Sequence, residues 1–277
     1  MILVAGGTGR LGALVVARLS AAGLAVRALS RDRTPAAVPR GIEFVRADVR
    51  DRATLAPAFE GVTTVLSAVQ GFAGPGGVTP ASVDRDGNAN LVDAAVAAGA
   101  DVVLMSIVGL SPDSPMELFR AKYDAEEHLR ASGAQWTIVR ATAFVELWAE
   151  IMAKPIVFGR GENPINFVSV NDVADVVVRA VVDPALRGTV LEVGGPENIT
   201  FNEFAARLQR ARRTSGRVRH VPRFALRAGA RFDRRARAGL AMDTVDMTFQ
   251  AASARAAWAD LPMTGIDAAL SPVPTAG

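Results

Sequence analysis

Cysteine is absent from the 277-residue chain, which excludes disulfides, thiolate metal sites and cysteine nucleophiles. Lysine is almost absent: of 31 Lys and Arg residues, only Lys122 and Lys154 are Lys. In a chain that supplies its positive charge as guanidinium, a Lys near a candidate site stands out. Tyrosine occurs once, as Tyr123. No uninterrupted apolar run reaches the ~18 residues of a membrane span. The N-terminus carries no charged segment with a cleavage site, and Met1-Ile2-Leu3-Val4-Ala5 already reads as a strand. A cytoplasmic protein that does not engage a membrane is the expectation.

What remains is ordinary for a soluble globular chain: 50% apolar and 21% charged residues, with a formal net charge of +3. Short apolar runs alternate with longer amphipathic stretches, the pattern of βα units and a parallel sheet. Strands are expected at 1–5, 25–30, 42–46, 62–67, 102–106 and 136–140, with one more at 190–193. Helices are expected near 10–22, 52–59, 82–98, 116–132, 144–153 and before about 182, from apolar residues at three- and four-residue spacing. Ser82 reads as the cap of the helix that stops at Gly99, and Pro115 as a first-turn residue of the next. The fold class is therefore α/β, a doubly wound parallel sheet with a small C-terminal lobe. Residues 1–150 with about 166–195 form the nucleotide-binding domain in this reading, and about 151–165 with 196–277 the substrate-side lobe.

Gly6-Gly7-Thr8-Gly9-Arg10-Leu11-Gly12 follows the first strand and opens the first helix, the context in which a glycine-rich loop binds a dinucleotide. Gly6 permits a tight turn, Gly9 lets the backbone approach a pyrophosphate, and Gly12 allows close helix–sheet packing. Helix amides and dipole then face the phosphates. This motif makes the expected sheet one of Rossmann type.

The second strand ends in Ser30-Arg31-Asp32-Arg33. NAD-binding proteins place an acidic residue at that strand end, whereas an Arg nearby suits the extra phosphate of NADP. Ser30 followed by Arg31 favours NADPH (NADP+) over NADH, with Asp32 the rival evidence, and Arg10 could add a second positive charge. Asp48-Val49 after the third strand and Ser67-Ala68-Val69 after the fourth lie where the adenine and far ribose would pass. Ala143 completes the expected cofactor contacts.

Together these residues resemble the atypical short-chain dehydrogenase/reductase superfamily, in its NmrA-like, NAD(P)H-binding branch. Further resemblance lies in Ala47-Asp48-Val49-Arg50-Asp51, Thr137-Ile138-Val139-Arg140, Phe167 through Ala174, and Glu192-Val193-Gly194-Gly195-Pro196. It fades after about residue 215. The resemblance implies a Rossmann domain with a small C-terminal substrate lobe. It also implies that Lys122 reaches the nicotinamide ribose and acts as base, and that Ser106 stands in the place of the active-site Ser. The superfamily's usual Tyr, four residues before its Lys, is missing: Tyr123 follows Lys122 directly, and position 127 is Glu.

Catalytic roles are accordingly expected for Ser106, as hydrogen-bond donor to a developing oxyanion, and for Lys122, as proton shuttle. Gln70, Phe72, Val108, Phe144, Trp148 and Phe167 are the expected substrate-pocket walls, suited to a flat apolar or aromatic small molecule. His128 and His220 lack partners at metal spacing, and no metal is expected. The stretch Arg207–Arg237 holds twelve Arg against one Asp but matches no recognition motif, so nucleic acid is not an expected partner. The chain could be a monomer or a homodimer. The functional expectation is an NADPH-dependent reductase of a small carbonyl, quinone or enone. A non-catalytic NADP(H)-sensing regulator, or an isomerase or cyclase without net redox, is the alternative.

Overall fold

The computed structural model describes residues 1–31, 41–72, 76–250 and 263–271; Asp32 and Arg33 lie outside them. The chain begins with β1 (Ile2–Ala5), α1 (Arg10–Ala21), β2 (Val26–Ser30), β3 (Glu43–Arg46) and β4 (Thr64–Ser67). It continues with α2 (Asp86–Ala98), β5 (Asp101–Ile107), α3 (Glu117–Ala131) and β6 (Trp136–Ala141). Next come β7 (Ala143–Phe144), α4 (Val145–Ile151), β8 (Ile156–Phe158), β9 (Pro164–Val168), α5 (Val170–Val182) and β10 (Thr189–Val193). The remainder holds β11 (Asn198–Thr200), α6 (Phe201–Ala211), β12 (Arg219–Val221), α7 (Arg223–Gly229), α8 (Arg234–Met242) and a last short helix, Ile266–Leu270.

These elements form two compact units. The first joins Met1–Arg140 to Val173–Glu192, and the second joins Ala141–Asp172 to the described residues from Val193 onward. Residues 141–150, 166–172 and 193–195, placed by sequence with the nucleotide-binding domain, group with the second unit.

The first unit is built on a seven-stranded sheet in the order β10-β6-β5-β4-β1-β2-β3. β1 pairs in parallel with β2 and β4, β2 with β3, and β4 with β5. The strand order reverses between β1 and β4, and Ala5 lies level with Leu29 and with Ser67. The carboxyl ends of these strands thus form one edge with a topological switch point, where doubly wound sheets take their ligands. β2 and β4 are buried at every position, as strands covered on both faces are, and the Arg27 that interrupts β2 is paired with Glu43. Leu3, Val65 and Leu104 from the sheet, Leu91 from α2 and Leu129 from α3 share one core. Each such side chain, fully buried, contributes about 1.5–3 kcal/mol.

Three local expectations are corrected. The helix expected over 52–59 is two 3-10 turns, Arg52–Thr54 and Ala56–Phe59, because Pro57 has no N–H to carry a helix through. The helix expected from 82 starts earlier, as a wide π turn over Pro80–Arg85, and its cap is Thr79. Ser82 is the reciprocal partner in that capping box, its Oγ accepting from the Thr79 N–H at 3.0 Å. Pro115 lies outside α3, whose N-cap is Met116. Gly99, left-handed at φ +67°, does close α2.

The second unit holds a three-stranded sheet, β11-β9-β7, and a pair, β12-β8. Its core is aromatic: Phe167 stacks on Phe204 at 4.6 Å and meets Phe201 edge-on at 5.7 Å, while Trp148 lies 4.7 Å from Phe201. In the Arg-rich stretch, Phe224 and Phe232 are 74% and 91% exposed. Among the described residues no helix is long and apolar enough to cross a membrane.

Candidate active site

The turn from β1 into α1 is shaped by two glycines. Gly6 adopts φ +81°, and a Cβ there would lie 2.9 Å from the Ala68 carbonyl oxygen, so only glycine lets the turn lie against the end of β4. A Cβ on Gly12 would sit 2.1 Å from the Gly6 oxygen. Helix α1 starts at an extended Gly9 with no side-chain cap and no acidic residue in its first turn. Such an N-terminus, offering amides and positive dipole without an internal anion, fits a pyrophosphate.

Thr8 Oγ1 donates to Ser30 Oγ at 2.9 Å, tying the glycine turn to the end of β2. Arg31 is exposed just beyond. Arg46, the register partner of Ser30 on β3, donates from Nε to the Arg31 carbonyl at 3.1 Å. Two guanidinium groups therefore belong to this strand end, one of them not foreseen from sequence. At the next strand end Asp48 is held by Arg50, with Nη2 to Oδ2 at 2.6 Å, and Arg50 also donates to the Gly76 carbonyl at 2.7 Å. The Arg50 guanidinium keeps the Asp48 carboxyl below its ordinary range. Val49 is buried against Gly87, where a Cβ would approach it to 2.6 Å.

Past β4 lies a buried polar network. Lys122, 4% exposed, directs its amino group at three oxygens: the Val69 carbonyl at 3.1 Å, the Met105 carbonyl at 3.0 Å and Asp84 Oδ1 at 3.1 Å. Asp84 Oδ2 accepts from the Gly71 N–H at 2.7 Å. The Asp84 carbonyl accepts from Asn88 Nδ2 at 2.7 Å, and Asn88 Oδ1 accepts from Ser67 Oγ at 2.5 Å. Burial pushes the Asp84 carboxyl above its ordinary value, against the pull of Lys122 and the Gly71 N–H. An ammonium has three N–H bonds to give, and here it is faced by three protein oxygens. Lys122, expected to shuttle a proton, is placed by the structure among these three oxygens.

Ser106 is also buried, and its Oγ has no hydrogen-bond partner among the described residues. By strand alternation it shares a side of β5 with Val102 and Leu104, which enter the core with Leu129 of α3. The expected oxyanion donor thus sits on the core side. Below it Glu126, fully buried, takes Arg140 in both arms, at 3.0 Å from Nε and 2.7 Å from Nη2, and Arg130 at 2.9 Å. Burial alone would raise the Glu126 carboxyl, but the Arg140 and Arg130 guanidinium groups bring it below its ordinary value. Tyr123 is half-buried on α3, away from any Tyr–Lys relay.

Of the expected pocket residues, Gln70 is exposed, while Phe72 and Val108 are half-buried in the first unit. Ala143, Phe144, Trp148 and Phe167 belong to the second unit. Phe167 is fully buried in the aromatic core, so its ring is a packing element and not a pocket wall. His128 meets Asp93 at 2.8 Å and His220 meets Asn202 at 2.9 Å. Among the described residues no group of three His, Cys, Asp or Glu could hold a metal.

Comparison with known proteins decides what this edge belongs to. A family model described as NAD(P)H-binding matches residues 6–184. The chain belongs to the NAD(P)H-binding family. Among curated members, the NAD(P)H azoreductase of Xenophilus azovorans is 33% identical over 80% of this chain and 76% of its own. The (4-alkanoyl-5-oxo-2,5-dihydrofuran-3-yl)methyl phosphate reductase of Streptomyces griseus subsp. griseus is 34% identical over 76% and 73%. The fold is shared with an NADPH-dependent quinone oxidoreductase of Escherichia coli, solved with NADPH, at TM-score 0.78 and 22% identity over 98% of both chains. In this NAD(P)H-binding chain the glycine turn from the sequence reading stands at the start of the matched region.

Sequence reasoning missed Asp84, Asn88, Arg46 and Glu126. A signal existed for the first two: polar residues four apart, on a helix whose other inward positions, Val83, Leu91 and Val92, are apolar. For Arg46 the partner Arg31 lies 15 positions away, and for Glu126 only Arg130, four residues on in α3, could be read locally, its main partner Arg140 lying on β6.

Proposed function

We propose that the protein is an NADPH-dependent reductase of flat, conjugated electrophiles such as quinones, enones and azo compounds. The observation that carries this reading is the engagement of Lys122 by Val69, Met105 and Asp84. With Ser106 on the core side of β5 and no Tyr four residues before Lys122, the site offers no poised proton donor from the expected set. Simple ketones need one, because an unstabilised alkoxide develops as hydride arrives. A conjugated acceptor spreads that charge over its own π system and takes its proton from solvent. Bound NADPH supplies the hydride.

The chain's own residues then bind, orient and exclude water. The turn Gly6–Gly12 and the α1 N-terminus would hold the pyrophosphate, with Thr8, Arg10 and Leu11 around it. Ser30, Arg31 and Arg46 would hold the 2′-phosphate, and this favours NADPH over NADH. Asp48 and Val49 would flank the adenine side, and Ala68 and Val69 the nicotinamide side, with Gln70, Phe72 and Val108 toward the substrate. The reductase names of the curated relatives support the same class.

Single-turnover oxidation of NADPH, followed by absorbance, tests it against a panel of quinones, enones, azo dyes and aliphatic ketones. Rapid turnover of the conjugated acceptors with little on the ketones is expected. Equal rates on aliphatic ketones would overturn the proton-donor argument. Tight NADPH binding with no turnover on any acceptor would favour a cofactor-sensing regulator.

A further inference from the structure

We propose that Asp84 is a positioning residue for the nicotinamide half of the cofactor, holding the chain just past β4 in place of a neighbouring strand. The inference rests on the NADPH reading above and concerns a residue that no sequence motif marked.

Strand pairing ends at Ser67, opposite Leu104 of β5. Beyond it, the Ala68 N–H still donates to the Ala5 carbonyl of β1 at 2.9 Å. In an extended chain, backbone groups of successive residues point to opposite lateral sides. The Val69 carbonyl and the Gly71 N–H therefore fall on the side of β5, where no strand takes them. Lys122 takes the first and Asp84 Oδ2 the second. The same Lys122 holds the Met105 carbonyl of β5, and Asp84 Oδ1 holds Lys122. A third tie runs through the Asp84 carbonyl and Asn88 to Ser67. Positions 67, 69 and 71 are thus fastened on one side by a single buried carboxyl residue and its two neighbours.

Backbone groups of Ala68 and Gln70 are left facing the glycine turn, at the switch point between β1 and β4. In this sheet order the second half of a dinucleotide crosses that point. An unpaired buried backbone group is costly, so removing the carboxylate forces the segment to move to find water or another partner. A displacement of about 1 Å at such a place costs up to ~100-fold in hydride transfer. In the NADPH reading the adenine half would lie at the ends of β2 and β3, away from these groups.

The test separates the two halves. Asp84→Ala removes both the acceptor for Gly71 and the charge facing Lys122; the double variant Asp84→Ala with Lys122→Met removes both charges together and leaves neither unpaired. Binding of 2′,5′-ADP and of NADP+ is measured by calorimetry, kcat by NADPH oxidation, and exchange of the 68–72 amides by mass spectrometry. The expected result is unchanged 2′,5′-ADP binding, NADP+ binding and kcat both lowered by about ten-fold or more, and faster exchange at Gly71. Wild-type NADP+ affinity and kcat in folded variants that lose only thermal stability would overturn the positioning role. Equal weakening of 2′,5′-ADP and NADP+ would overturn it too, since the effect would then not belong to one half. A wild-type protein that binds neither ligand would instead sink the NADPH reading itself.

Discussion

Thr8 on the glycine turn and Ser30 at the end of β2 share a hydrogen bond of 2.9 Å, hydroxyl to hydroxyl. This bond ties the glycine turn to the strand end at which folds of this type distinguish NADP from NAD. Ser30→Asp would place a carboxylate beside Thr8, where it can accept from ribose hydroxyls and repel a 2′-phosphate. The ratio of kcat/KM for NADPH over NADH should fall by about ten-fold, or ~1.4 kcal/mol. Arg31→Ala and Arg46→Ala should raise KM for NADPH and leave that for NADH unchanged. An unaltered ratio in all three would refute the phosphate site.

Gly12→Ala tests the turn itself. The new methyl would meet the Gly6 carbonyl at 2.1 Å, which no rotamer can relieve. Loss of nucleotide binding is expected with about 1–3 kcal/mol of destabilisation from overpacking. Denaturant titration and calorimetry read the two effects separately.

Glu126 makes stability depend on acid. Its folded carboxyl is lower than its unfolded one, so its contribution is full above the unfolded value of roughly 4.3 and is lost as pH falls through the folded value. Wild-type Tm should drop steeply below about pH 4.5, and Glu126→Gln should flatten that slope while lowering Tm at pH 7. Replacing one partner of a buried pair costs about 3 kcal/mol. Parallel Tm–pH curves for both proteins would be the contrary result.

Phe167→Ala should cost about 3–5 kcal/mol, as loss of a fully buried ring does. Phe167→Leu should recover much of it and leave the preference among acceptors unchanged. A changed acceptor preference at undiminished stability would restore Phe167 to the pocket.

The legible parts of the molecule were those with local causes. Glycine spacing after a strand, apolar runs four to six residues long and a left-handed Gly99 are each decided within a few positions, and β1, α1, β2 and the end of α2 follow from them. The helix over 52–59 failed for want of one N–H at Pro57, a signal that was present but outweighed by spacing. Lys122 was singled out by its rarity, yet its setting depends on Val69 and Asp84, 53 and 38 positions away in sequence. Phe167 was read as a wall because an aromatic residue alone does not say whether other rings, here Phe201 and Phe204, will cover it.

The wide turn at Pro80–Arg85 gives the molecule an unusual dependence on length. Deleting one residue inside it would tighten the turn into an ordinary helix and rotate what precedes it by about 100°. A deletion that leaves every other side chain in the network intact could therefore silence it as thoroughly as replacing Asp84.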